Sequence, residues 1–118
     1  MKHGDVYVAN LIPRSGSEQR GKRPVIIVSH DGFNQTRHWR SIIVVPVSTS
    51  EVQSKRGPTA IWLPKGAGGL KKASVALCHQ VTTVDRSKLA QRLEPLPKDS
   101  LRQVDAGLLA ALDLYHWE

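Results

Sequence analysis

The chain has 118 residues, a formal charge of +7 at pH 7 and a single cysteine, Cys78, so no intramolecular disulfide scaffold is open to it and a reducing cytoplasm is its natural compartment. The longest apolar run, Ile42–Val47, is far short of the roughly 20 residues that cross a bilayer, and residues 1–10 lack the charged start and apolar stretch of a signal peptide, which leaves one soluble domain over 1–118 with no membrane partner as the expectation. Residues 1–72 hold 12 Lys and Arg against Asp5, Glu18, Asp31 and Glu51, a balance of +8, whereas 73–118 hold five against six. Basic segments gathered in one part of a chain suit a polyanion, since each neutralised phosphate releases counterions; a solubilising surface charge is the alternative that composition leaves open.

Taken in order, Gly4–Leu11 alternates as a strand should, with Val6 and Val8 on one side. The loop Gly16–Pro24 follows, punctuated by Gly16 and Gly21 and ending in Arg20, Lys22 and Arg23. It runs into the β-branched strand Pro24–Ser29, which would hold Arg23 rigidly as a planar fork for phosphate oxygens; read by itself, the segment is equally an exposed loop with solvated charges. Turn residues at Asp31–Asn34 precede Arg37–Arg40, where cations flank Trp39, an indole that either stacks on an unpaired base or anchors the loop.

Ile42–Val47 reads as a buried strand that breaks into Ser48, Thr49 and Ser50, hydroxyls that hold a phosphate or simply close the strand. Lys55 and Arg56 lie in the next loop, before strand Ala60–Leu63. Gly66–Gly69, flanked by Lys65, Lys71 and Lys72, lacks the Gly-Lys-Ser/Thr of a P-loop. Ser74–Val84 reads as one long strand carrying Cys78, a core thiol, and His79, an acid or base near neutrality or else a hydrogen-bonded structural residue. No cluster of His, Cys, Asp and Glu has metal-ligand spacing, and no cofactor motif is present. After Pro97 the period changes: Leu101, Val104, Leu108, Leu112 and Tyr115 give one apolar face to a helix starting near Lys98, with Asp99 in its first turn and Gly107 marking close packing. Short strands joined by hairpin-length spacers, then one helix, predict a mainly β fold: a small antiparallel barrel or sandwich with the helix packed on it.

The start Gly4–Tyr7, the loop Gly16–Gln19, Lys22–Ser29 with Asn34, Val45–Thr49, Gly69–Leu70 and Gln80–Asp85 together resemble the MazF/PemK family of toxin endoribonucleases, over nearly the whole chain. The resemblance implies an SH3-like antiparallel barrel with a C-terminal helix, of the MazF/PemK/CcdB-like type, and a homodimer. It also implies metal-independent cleavage of single-stranded RNA and a MazE-like antitoxin that blocks the site. Carried over by position, Arg23 matches the family's active-site arginine before proline, Ser48 and Thr49 its hydroxyl pair, and Glu18 the glutamate of its Gly-Ser-Glu-Gln loop. Two positions depart: His79 stands where many members are acidic and Thr82 where they carry Lys or Arg, and the Arg-x-Asp pair of other members would fall at Leu77 and His79.

For metal-free cleavage the expected roles are phosphorane stabilisation by Arg23, oxygen contacts from Ser48 and Thr49, Glu18 as base and His79 as acid. Ser17, Gln19, Arg20, Lys22, Arg37, Trp39, Arg40, Lys55, Arg56, Lys71, Lys72 and Gln80 are the expected RNA contacts. The rival readings are a CcdB-like gyrase-binding toxin acting through its C-terminal end at 116–118, and an RNA-binding relative with impaired catalysis.

Overall fold

The computed structural model of the chain describes residues 1–12, 16, 21–49 and 57–114. Among these residues seven strands, β1 (Asp5–Leu11), β2 (Gly21–Ile27), β3 (Ser41–Ser48), β4 (Ala60–Leu63), β5 (Ser74–Leu77), β6 (Thr82–Asp85) and β7 (Leu89–Pro95), form one antiparallel sheet. Two helices join them, α1 (Asp31–Asn34) and α2 (Lys98–Ala111). The strand path is β4-β5-β3-β2-β1-β7, with β6 beside β3 as well.

Period-two alternation divides the apolar residues between two cores. Val6, Ile26, Val45, Val47, Leu63 and Ala76 point to one side, where the sheet curls around them and α2 closes the space with Val104. Ala9, Val25, Ile27, Ile42 and Val44 fill the other. Val104 is fully buried, worth roughly 1.5–3 kcal/mol as an apolar side chain removed from water.

The stretch expected as one long strand is two. β6 pairs with the first half of β3 (Val44↔Thr82) and β5 with its end (Ser48↔Val75), while Cys78–Gln80 makes a 3-10 turn between them. The break faces Pro46, which has no N–H to give a ladder. His79 is therefore a turn residue and exposed, a correction to its expected place within a strand.

The helix begins at Lys98 as the periodicity predicts, and Leu101, Val104 and Leu108 pack inward. It ends at Ala111, because Leu112 is the cap and Asp113 turns to a positive φ of 54°, which leaves Leu112 55% exposed rather than on the buried face. Tyr115 lies outside the described residues. Gly107 does mark a close approach: a Cβ there would sit 2.8 Å from Cys78 Sγ and 2.9 Å from Ile61 Cγ1. Strand β7 has no counterpart in the sequence reading, since Leu89, Ala90 and Leu93 among polar residues make no period-two pattern. No described helix is long and apolar enough to cross a membrane.

Candidate nucleic-acid interface at one sheet end

Arg23 and Ser48 share one end of the sheet. Val25↔Pro46 is the last pair of the β2–β3 ladder, and Arg23 and Ser48 each lie two residues beyond it on their own strands. Alternation sets both on the side of Val25 and Val44. Arg23 is half-buried beside Ala9 of β1, and Ser48 is buried against β5. A guanidinium carried on a paired strand, at the same sheet end as a buried hydroxyl, offers anion recognition two donors whose backbones are fixed.

Thr49, one residue on, belongs to the opposite side. There it joins Lys71, Lys72 and Ser74 around a cleft of about 300 Å³ whose floor is Val8, Pro24, Leu70 and Leu93, with Gly69 and Gln91 completing the wall. The floor is the mouth of the first core: Val8 and Pro24 continue the rows of Val6 and Ile26 past the point where side chains fill the interior. Lys71 and Lys72 stand over it because the turn Ala67–Gly69 before them is buried. Gly68 takes a φ of +62°, and a Cβ on it would lie 2.5 Å from Val6 Cγ2. The glycine-rich segment is thus a packed corner that aims two lysines, consistent with its failing the P-loop pattern. Gln91 and Leu93 had no place in the sequence reading and Ser74 only as the start of a strand; the signal for the first two was strand β7 itself.

His79 lies in the turn past the C-terminal end of β5, four residues beyond the Val75 that pairs with Ser48. Its Nδ1 meets Thr59 Oγ1 at 3.1 Å, which fixes the ring beside the short 3-10 turn Gly57–Thr59, and Gln80 follows half-buried. Lys22 is exposed on β2 opposite Asn10. Glu18, Ser17, Gln19, Arg20, Lys55 and Arg56 lie outside the described residues, as do 115–118.

The Arg37–Arg40 loop sits at the other end of β3, about 25 Å away for eight strand residues. Both readings of Trp39 have support: its indole stacks on Phe33, centroids 4.6 Å apart and planes at 20°, yet 43% of it stays exposed. The loop is held by Arg86, whose guanidinium donates to the carbonyls of Trp39 (2.9 Å), Phe33 (3.1 Å) and Thr36 (3.1 Å). Arg40 is engaged with Asp85 at 2.8 Å, so its charge is largely answered within the chain, whereas Arg37 is exposed. Asp85 also accepts from the Ser87 hydroxyl and N–H, and these bonds, with Arg40, hold its carboxyl well below the usual aspartate range.

Two further polar groups are structural. Asn34 is buried, its amide donating to the Ser29 carbonyl at 2.8 Å and to Asp31 Oδ1 at 3.1 Å, and Asp31 is held low chiefly by the His3 N–H. Cys78 is buried against α2; burial, and then the Asp105 carboxylate, push its thiol up to about 12, which suits the expected core role. Among the described residues no group of three or more His, Cys, Asp and Glu is placed to hold a metal.

An antiparallel sheet curled under a terminal helix, with an arginine, strand-end hydroxyls and two lysines at one end, defines a small basic domain suited to a polyanion. The sequence profile of PemK-like, MazF-like toxins of type II toxin-antitoxin systems matches residues 2–112, and the chain belongs to that family. It is 33% identical over 115 residues to the Endoribonuclease MazF of Staphylococcus saprophyticus, spanning 98% of this chain and 93% of that protein. Among solved structures, MazF from Deinococcus radiodurans superposes with a TM-score of 0.77 at 27% identity, covering 96% of each chain. A MazE-MazF structure from the same organism gives 0.72 at 27% identity, over 98% and 97% of the two chains. The expected family and fold class are met.

Proposed function

We propose that this chain is the toxin of a toxin-antitoxin pair and cleaves single-stranded RNA without a metal. The observation that carries the reading is the convergence of Arg23, Ser48, Thr49, Lys71 and Lys72 on one sheet end in a chain related to an endoribonuclease. The attacking group is the substrate's own 2′-OH, so the protein must supply a base, charge for the phosphorane and an acid. The Arg23 guanidinium stabilises the phosphorane and Ser48, on the same side, holds an oxygen; Thr49, expected to share that role, faces the cleft on the other side and meets the neighbouring nucleotide instead. Glu18 takes the 2′-OH proton and His79, oriented by Thr59, returns one to the departing 5′ oxygen, leaving a 2′,3′-cyclic phosphate and a 5′-OH. Lys22, Lys71 and Lys72 draw the strand in, with Gln80 along its path, and Arg37, Trp39 and Arg40 meet it further on. Ser17, Gln19, Arg20, Lys55 and Arg56 complete the basic surface. The active unit is a cytoplasmic homodimer, neutralised by a MazE-like antitoxin whose acidic segment competes for the same cations.

The test is incubation of a long single-stranded RNA with the purified protein in excess EDTA. Cutting is expected, and Arg23→Ala should lose on the order of 10²-fold in rate with its melting temperature unchanged. Strict dependence on Mg²⁺ would overturn the metal-free mechanism, and full activity in Arg23→Ala would overturn the arginine's role.

A further inference from the structure

We infer that the cleft beside Thr49 is a reading pocket for a single nucleobase, and that Gln91 selects the base; this rests on the RNA-cleaving role proposed above. The cleft combines three features. Its floor of Val8, Pro24 and Leu93 is apolar and broad, suited to the face of a planar ring. Lys71 and Lys72 stand at its rim, where they answer the phosphate joined to such a ring. Gln91 brings a donor and an acceptor side by side to the wall, and few groups need an apolar face, an edge of mixed polarity and an anion at once. A nucleotide needs all three. The volume of about 300 Å³ is at the small end of the roughly 300–1,000 Å³ range of ligand clefts, room for one base and not for an extended stacked segment.

Position ties the pocket to the chemistry. Thr49 lines the cleft and follows Ser48, and Pro24 lines it and follows Arg23. Each residue of the pair on one side of the strands is thus chain-adjacent to a wall or floor residue on the other. A strand whose phosphate lies on Arg23 and Ser48 can turn its neighbouring base over the sheet rim into the cleft. Gln91 reaches it from β7 through the row Pro24↔Val8↔Gln91. RNA read in this way is unpaired, because the base edge that Gln91 meets is the edge a complementary strand would use.

The experiment is cleavage of a randomised single-stranded RNA pool, sequencing the ends made by the wild type, Gln91→Glu and Gln91→Ala. The amide suits a base edge that offers one donor and one acceptor, and a carboxylate suits guanine, which presents two neighbouring donors. Gln91→Glu should therefore move the preference at one position beside the cut toward guanine by about tenfold, and Gln91→Ala should flatten that position alone, as loss of a paired contact of this kind predicts. Gln91 is exposed, and melting curves establish that both variants fold. A wild type that does not cut RNA would refute the proposed function. A wild type that cuts, with base preferences identical in all three proteins, would refute the pocket and leave the function standing.

Discussion

Replacing Gly68 by alanine tests whether the corner that aims Lys71 and Lys72 is fixed by packing. Two costs add. The backbone is left-handed at φ +62°, where a Cβ costs roughly 1–2 kcal/mol. The new methyl would also lie 2.5 Å from Cγ2 of fully buried Val6 and 3.0 Å from Leu96 Cδ2, an overpacking that costs typically about 1–3 kcal/mol. Gly66 supplies the control: its φ is +93°, but nothing lies within 4 Å of its Cβ position, so Gly66→Ala carries the backbone cost alone. A domain of this size loses roughly 3–6 °C in melting temperature per kcal/mol, so Gly68→Ala should fall by about 6–30 °C and Gly66→Ala by about 3–12 °C, the difference between them being the packing cost. Thermal unfolding followed by circular dichroism measures both. Equal shifts in the two variants would refute the packing argument, since the left-handed backbone is common to them.

Three further outcomes follow from the same reading of contacts. The depressed Asp85 carboxyl contributes stability above its ordinary value of 3.8 and loses it as pH falls through that value and below, so Asp85→Asn should melt lower than wild type at pH 7 and the gap should narrow steadily below pH 3.8. A thiol raised from 9.0 to about 12 holds about a thousandfold less thiolate, so alkylation of Cys78 at pH 8 should be slower than that of a free thiol by at least that factor and should become fast in denaturant. Arg86→Leu removes the donors to three loop carbonyls that water then takes over, so it should cost about 1–2 kcal/mol and speed hydrogen exchange over residues 33–40, leaving the core amides protected.

The core of β3 was legible as Ile42–Val47 because a β-branched run buried over most of its length leaves no polar residue to confuse the pattern; β4 also falls on Ala60–Leu63 as expected, although it is mostly not buried and Trp62 is exposed. Strand β7 was not, because it is held by its ladder with β1 and exposes most of its side chains, so the period that marks a half-buried strand is missing. The turn at Cys78–Gln80 was hidden for another reason. It answers a proline on a neighbouring strand, a fact about Pro46 that only pairing brings beside it. Of the candidate site, Arg23, Ser48 and Thr49 are readable from their motifs, whereas the division of Ser48 from Thr49 onto opposite sides depends on register. Phe33 was passed over as part of a turn and is the stacking partner of Trp39.

Strand β1 lies between β2 and β7, and synthesis completes it at Leu11 while β7 is not finished until Pro95. At about 5–20 residues per second, that gap is of the order of 4–17 s of translation during which one edge of β1 has no native partner. The cleft cannot assemble in that interval, for Gln91 and Leu93 arrive with β7. A nascent chain therefore carries Arg23 and Ser48 past the ribosome exit before it has the wall beside them, and the site matures only when nearly all of the described fold has been made.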